Sequence, residues 1–342
     1  MWYVVLYIII LVLSILSLKI KKIDKVIIGI LILFSGFRYG IGKDYYNYSY
    51  IFNQIRDGQN FVNLNIEYGY LLLNKIIVIL KGNFQWVILI TASLQNILIY
   101  KFIKKESLRI IFSINIYFLL GNYYISTFNA IRQSIAIALF LLSYSYLKRK
   151  KILKTIICFL FGGVFHKSLL FLLPVLLILN IKKISNKIFF ISLILLTLII
   201  PKIDYFISLV PVYAGYVNRV YDFNTNYLIL FAFFILNIIF IAFNKKIKFS
   251  KLDYNIIITC TLVIYTILIN RKYNEGLNLI LMRMCAYFYY FYIIFIPKAI
   301  IYFEKKINKR NILFILFYII LSLLYFKTTF FKLGVYRISS NF

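Results

Sequence analysis

The chain has 342 residues, of which 63% are hydrophobic, 20% aromatic and only 15% charged; a soluble domain is about half apolar and about a quarter charged. Apolar runs of membrane-spanning length recur from end to end, which excludes a string of soluble domains, a disordered chain and a disulfide-stapled secreted fold. The formal charge is +30, from 40 Lys and Arg against 10 Asp and Glu, and its placement argues against a nucleic-acid binder, because the basic residues gather in short clusters between apolar runs.

In chain order, the apolar runs 2–18, 24–38, 84–102, 109–125, 128–147, 152–166, 168–181, 187–201, 227–244, 253–270, 281–301 and 311–327 read as transmembrane helices. The expectation is therefore an all-α, polytopic integral membrane protein of about 12 spans. The first run has no basic flank before it and no small-residue cleavage site, so it reads as a retained span. Six basic clusters, at 19–25, 101–109, 148–154, 182–187, 245–251 and 304–310, hold 24 of the 40 basic residues. If all six face the cytoplasm, both termini lie outside and the spans alternate consistently. The segment Glu67–Lys81 would break that alternation if it crossed, so it reads as an amphipathic or re-entrant helix on the outer face. No internal repeat or linker divides the chain, so residues 1–342 read as one transmembrane domain with outer-face loops at 38–83 and 201–226.

A charge at membrane depth is expensive unless paired or wetted, so polar residues that are not orientation signals become site candidates. Lysine dominates the cytoplasmic clusters, whereas arginine is prominent in the outer set of Arg38, Arg132, Arg219, Arg271 and Arg283. Guanidinium groups form a planar fork that grips phosphate oxygens bidentately, so several of them at one face suggest a polyanion held at the interface, such as a lipid-linked pyrophosphate. A single such Arg can also merely snorkel to the headgroups. Arg132 and Arg283 stand a few residues into apolar helices and require partners. Gln133 and Asn129 lie beside Arg132 and could orient phosphate or sugar oxygens.

Three residues are candidates for proton transfer. Asp44 follows glycines 36, 40 and 42 where the chain leaves the membrane. Glu67 opens the amphipathic segment, where it could serve simply as a helix cap. His166, the sole histidine, ends a span after Gly162 and Gly163, which allow a close helix approach. Outer-face rings such as Tyr45, Tyr46, Tyr48 and Tyr68 could stack on sugars. The three cysteines, 158, 260 and 285, read as apolar filler. One histidine and scattered aspartates give no metal site, and no cofactor motif occurs.

The segments FRYGIGKDYYNY (37–48), EYGYLLLN (67–74), NAIRQSIAIALFLLSYSYL (129–147), FGGVFHKSLLFLLPVL (161–176) and RMCAYFYYFYIIFIP (283–297) occur in that order. Together they resemble the EpsG family of Wzy-like exopolysaccharide polymerases, from about residue 2 to 297. Position 43 is Lys where the family often has a small polar residue, and the C-terminal tail from 327 has no match in the resemblance.

The resemblance implies a membrane glycosyltransferase on the outer face of a bacterial cytoplasmic membrane, with its site toward the periplasm or cell exterior. It would use polyprenyl-pyrophosphate-linked oligosaccharides as donor and acceptor, and no nucleotide sugar. The growing chain would pass to the non-reducing end of a lipid-linked repeat unit in a metal-independent, inverting transfer. Arg132 and Arg283, then Arg38 and Arg219, would hold the pyrophosphate, with Gln133, Asn129 and Tyr45 lining the substrate. Asp44, His166 or Glu67 would be the base. Membrane lipid is an expected partner, with a chain-length regulator and a flippase as further candidates and no nucleic acid. A glycan ligase or another polyprenyl-dependent glycosyltransferase uses the same chemistry. A transporter of lipid-linked oligosaccharide would instead need mid-membrane charges and paired halves, which the sequence lacks.

Overall fold

The computed structural model describes residues 2–58, 66–120, 123–202, 227–271, 275–307 and 311–332. These are helical throughout, with no strand element among them. Contacts divide the chain into two compact units, one of residues 1–173 with 290–342, the other of residues 174–289.

The first unit contains α1 (Trp2–Leu16), α2 (Ile23–Gly36), α3 (Tyr45–Arg56), α4 (Tyr68–Ile79), α5 (Phe84–Glu106), α6 (Ile110–Leu119), α7 (Ile131–Lys148) and α8 (Ile152–Phe165). The chain leaves it within α9 (Leu172–Ile181). It returns with α15 (Tyr292–Ile307) and α16 (Ile312–Lys332), separated in the sequence from α8 by the second unit: α10 (Asn186–Ile199), α11 (Tyr227–Ala242), the turn α12 (Asn244–Ile247), α13 (Lys251–Asn270) and α14 (Glu275–Tyr289).

In the first unit α7 lies along both α8 and α5, α5 against α2, and α6 against α15 and α16. The returning helices are tied to the start of the chain. The Tyr7 hydroxyl donates to Ser322 Oγ at 3.0 Å, and the Tyr325 hydroxyl to the Tyr3 carbonyl at 3.1 Å. Pro297 interrupts α15 and denies the Ile293 carbonyl its helical donor. The Ser113 hydroxyl of α6 supplies the missing bond at 2.7 Å.

Basic clusters converge at one end of this unit. The Tyr100 hydroxyl reaches Asp24, Glu106 pairs with Lys148 at 3.1 Å and with Arg149, and Arg109 reaches Asn311 at 2.9 Å and Glu304 at 3.7 Å. The 18 residues of α7 span about 27 Å, so its first turn is far from this basic end. The first turns of α5 and α7 and the last turns of α2 and α8 therefore share the other end.

There α3 and α4 form a small layer around Tyr45, Tyr48, Phe52, Tyr70 and Ile77, closed by Phe84, Val87 and Ile88 of α5 and Ile131 of α7. The expected helix at 67–81 is α4. Its 12 residues reach about 18 Å, too short for a bilayer core of about 30 Å. The loop reading of residues 38–66 needs correction, because it contains α3. Tyr45, Tyr48, Phe52 and Ile55 make one buried helical face.

The second unit packs α11, α10 and α14 around α13. Ser250 and Asp253 form a reciprocal cap at the start of α13, with bonds of 3.1 and 3.0 Å. The expected span 281–301 is broken at residues 290 and 291, between the end of α14 and the start of α15, which together are still long and apolar enough for one span. A continuous apolar run carries no signal for such a break.

Two described helices, α5 and α13, are by themselves long and apolar enough to cross a membrane. Several others are apolar but shorter, so the structure does not match the expected 12 spans one for one. Isoleucine and leucine line the outward faces of α10 and α16; Leu198 and Leu323 are 65% and 67% exposed. Faces of that extent belong against lipid rather than water.

Candidate functional site

Glu67 sits at the N-cap of α4, where its side chain makes no capping bond. Its carboxylate turns instead to two residues distant in sequence. Oε1 meets His166 Nδ1 at 2.9 Å, and Oε2 accepts from Arg132 Nη1 in an ion pair. The capping interpretation of Glu67 therefore gives way to a three-residue cluster. The Glu67 side chain is 11% exposed, while those of Arg132 and His166 are each 25% exposed. The cluster is nearly closed on the carboxylate side and open on the cationic side.

Backbone geometry makes this meeting possible. A Cβ at Gly69 would stand 3.0 Å from both Val164 Cγ1 and the Val164 carbonyl oxygen. Glycine lets the first turn of α4 lie this close to the last turn of α8, where a side chain would press on Val164. There Glu67 and His166 are each two residues from the contact. His166 then ends α8 in an extended conformation, its amide bonded to the Gly162 carbonyl at 2.8 Å. Gly162 itself faces Ala136 and Leu139 of α7, which holds α8 against the helix carrying Arg132.

Arg132 is the second residue of α7, next to the positive end of the helix dipole. A cation there is disfavoured by a few tenths of a kcal/mol, which the Glu67 carboxylate offsets. The guanidinium also lies 5.8 Å from the centroid of the Tyr48 ring. Burial tends to raise the Glu67 pKa, but the His166 bond and the Arg132 charge prevail and hold the carboxyl below its ordinary value. Burial also lifts Tyr48 above its ordinary range, against the pull of Arg132. Glu67 is therefore a carboxylate at neutral pH.

The loop from Phe37 to Asp44 braces the start of α7. Arg38 is almost wholly buried. Its guanidinium donates to the Ser35 carbonyl and, at 3.4 Å, to the Phe128 carbonyl, and lies 4.7 Å from the Phe128 ring centroid. Gln85 of α5 donates to the Gly36 and Arg38 carbonyls at 2.6 and 3.2 Å. The Asn129 side chain accepts from the Lys43 amide at 2.7 Å. Gly42 takes φ +113°, and a Cβ there would fall 2.5 Å from the Phe128 carbonyl oxygen. Arg38 and Asn129 thus position the α7 start from below and from the side.

Of the remaining sequence candidates, Asp44 is half-buried at the N-cap of α3, and its charge is felt by Tyr48. Tyr45 is buried, its ring edge-on to Phe84 at 5.3 Å, whereas Tyr46 and Tyr68 are exposed. Gln133 is half-buried on the first turn of α7. Arg283 is exposed on α14, in the second unit. Arg219 and almost all of the 201–226 loop lie outside the described residues. Gly69 and Gln85 escaped the sequence reading as site-building residues, and Tyr48 entered it only as a ring that could stack on sugars. The only signal for them was the helical spacing of Tyr45, Tyr48 and Phe52 and the EYGY segment itself. Among the described residues, no group of three His, Cys, Asp or Glu stands close enough to hold a metal ion.

Apolar outer faces, a bundle basic at one end and a buried carboxylate linked to a cation and an imidazole at the other define a helical membrane protein with a polar site at one end. The chain belongs to the EpsG family, whose profile matches residues 23–338, nearly its whole length. At the level of the family it is a membrane protein of polysaccharide biosynthesis, of the glycosyltransferase-like polymerase kind. No curated protein and no solved structure matches it.

Proposed function

We propose that this protein polymerises a polysaccharide by moving a glycan chain from polyprenyl pyrophosphate to the non-reducing end of a lipid-linked repeat unit on the outer face of the cytoplasmic membrane. The observation that carries this reading is the Glu67–His166–Arg132 cluster, set at the end of its bundle away from the lysine clusters. The positive-inside bias supports placing that end outside. Family membership supports the reaction class.

The transfer makes two demands. The acceptor hydroxyl must lose a proton as it attacks the anomeric carbon, and the leaving diphosphate must be stabilised as it gains charge. A carboxylate accepting from Nδ1–H fixes the His166 tautomer, so that Nε2 presents a lone pair. His166 is the base in this mechanism, with a contribution of about 10²–10⁴-fold, and Glu67 orients it. Arg132 supplies the fork for the diphosphate oxygens, next to a helix N-terminus that itself favours an anion. Displacement from the face opposite the leaving group inverts the anomeric centre, and the guanidinium supplies the charge stabilisation, so no metal is required. Arg38 acts as a brace under α7, and Asp44 lines the approach.

The test is synthesis from purified lipid-linked repeats alone, which gives a ladder of chain lengths only if the protein both elongates and accepts the same substrate. A ligase would need a second acceptor. Arg132→Ala is expected to abolish the ladder with membrane insertion intact, and Arg132→Lys to be nearly as damaging because the fork is lost. Full-length polymer from Arg132→Ala would remove the diphosphate assignment.

A further inference from the structure

Without substrate, the guanidinium assigned to the diphosphate is already neutralised. Arg132 donates through Nη1 to Glu67, and the same carboxylate holds His166. Two anions therefore claim one cation. Building on the function proposed above, we infer that donor binding exchanges the counter-ion of Arg132: the diphosphate draws the guanidinium from Glu67, and the released carboxylate turns His166 into an effective base.

The competition favours the diphosphate. It carries more charge than a carboxylate and offers oxygens on two phosphorus centres to a five-donor fork. It arrives from the open side, where Arg132 is 25% exposed, while Glu67 stays on the closed side at 11%. Once the guanidinium turns outward, the carboxylate is left nearly buried with the imidazole as its partner. A buried charge that loses its counter-ion strongly favours a cation beside it, here the imidazolium. The diphosphate's own charge pushes the same way.

The base is thus weak while Arg132 lies against Glu67 and strong once the leaving group is gripped. In the transfer that follows, the acceptor hydroxyl gives its proton to His166 Nε2 as its oxygen bonds the anomeric carbon. The carbon–oxygen bond to the diphosphate breaks, and its electron pair stays on the leaving oxygen. His166 then releases the proton to water, and Arg132 returns to Glu67 as the polyprenyl diphosphate departs. An acceptor that arrives before the donor meets a weak base, so proton transfer waits until the diphosphate is gripped.

The probe is inorganic pyrophosphate, titrated calorimetrically into the full-length protein in detergent. Glu67→Gln removes the competing anion while keeping shape, so pyrophosphate is expected to bind about tenfold more tightly than to the wild type. Arg132→Gln is expected to weaken binding, and in that background Glu67→Gln should give no gain. Glu67→Asp, which draws the carboxylate back by one methylene, should tighten binding to a smaller degree and serves if the glutamine variant does not fold. Unchanged or weaker affinity in the Glu67 variants overturns the exchange. A gain that survives in the Arg132→Gln background also overturns it, since the effect would then be a diffuse field. If neither wild type nor variant binds pyrophosphate, the diphosphate assignment itself fails, and the exchange fails with it.

Discussion

Gly69→Ala tests whether the Glu67–His166 contact depends on how closely α4 approaches α8. The added Cβ would lie 3.0 Å from Val164 Cγ1 and from its carbonyl oxygen, and 3.1 Å from its carbonyl carbon. Comfortable contacts of this kind begin at about 3.5 Å, so α4 must retreat by about half an ångström. Two of the three neighbours are backbone atoms, which cannot rotate aside. Glu67 and His166 flank this contact, so the same retreat stretches their 2.9 Å hydrogen bond to about 3.4 Å, near the limit of a useful bond. A misplacement of about 1 Å at a catalytic constellation costs about 10²-fold, so half that distance should cost about tenfold in turnover. Alanine meanwhile favours the helix by about 0.5–1 kcal/mol over glycine, so the melting temperature should hold. The expected signature is a slower protein of undiminished stability, read by ladder formation per unit time in reconstituted membranes alongside thermal unfolding. Gly69→Leu should be slower still. Wild-type turnover in Gly69→Ala would refute the claim that this approach sets the site.

Acid should probe the same carboxylate. Glu67 is held below its ordinary value of 4.5, so its pairing contributes stability in full above about that pH and loses it as pH falls through the lower, folded value. The melting temperature of the wild type should therefore fall more steeply on acidification than that of Glu67→Gln, and parallel curves would contradict the pairing. At the loop bracing α7, Gly42→Ala forces a Cβ onto the Phe128 carbonyl at φ +113°. A loss of about 1–3 kcal/mol is expected, seen as a lower unfolding midpoint, and an unchanged midpoint would refute the loop's role.

Much of the architecture was legible because bilayer helices announce themselves by composition. Runs such as 84–102, 152–166 and 227–244 correspond closely to α5, α8 and α11. The short helix α3 was not legible as a helix. Its buried face is built from Tyr45, Tyr48 and Phe52 among Asn and Ser, which a search for membrane-length apolar runs passes over. The need of Arg132 for a partner could be read directly, since a lone cation a few residues into an apolar helix is costly. Which acid answered could not be read, because Glu67 precedes Arg132 by 65 residues and His166 by 99. That pairing is set by the α4–α8 approach, a tertiary fact with only one glycine to mark it. The buried state of Arg38 was equally hidden. Its partners are main-chain carbonyls, which carry no side-chain signature in sequence.

The bond between the chain's two ends has a bearing on biogenesis. Tyr3 and Tyr7 of α1 find their partners in Tyr325 and Ser322 of α16, more than 300 residues later. At a ribosomal pace of about 5–20 residues per second, α1 waits roughly 16–60 s before those hydroxyls exist. Through that interval α1 has its earlier neighbours, Phe34 of α2 against Tyr3 and Asn115 of α6 bonded to Ser14. A ribosome stalled before α16 would leave α1 held on those two helices alone, without the bonds from Ser322 and Tyr325.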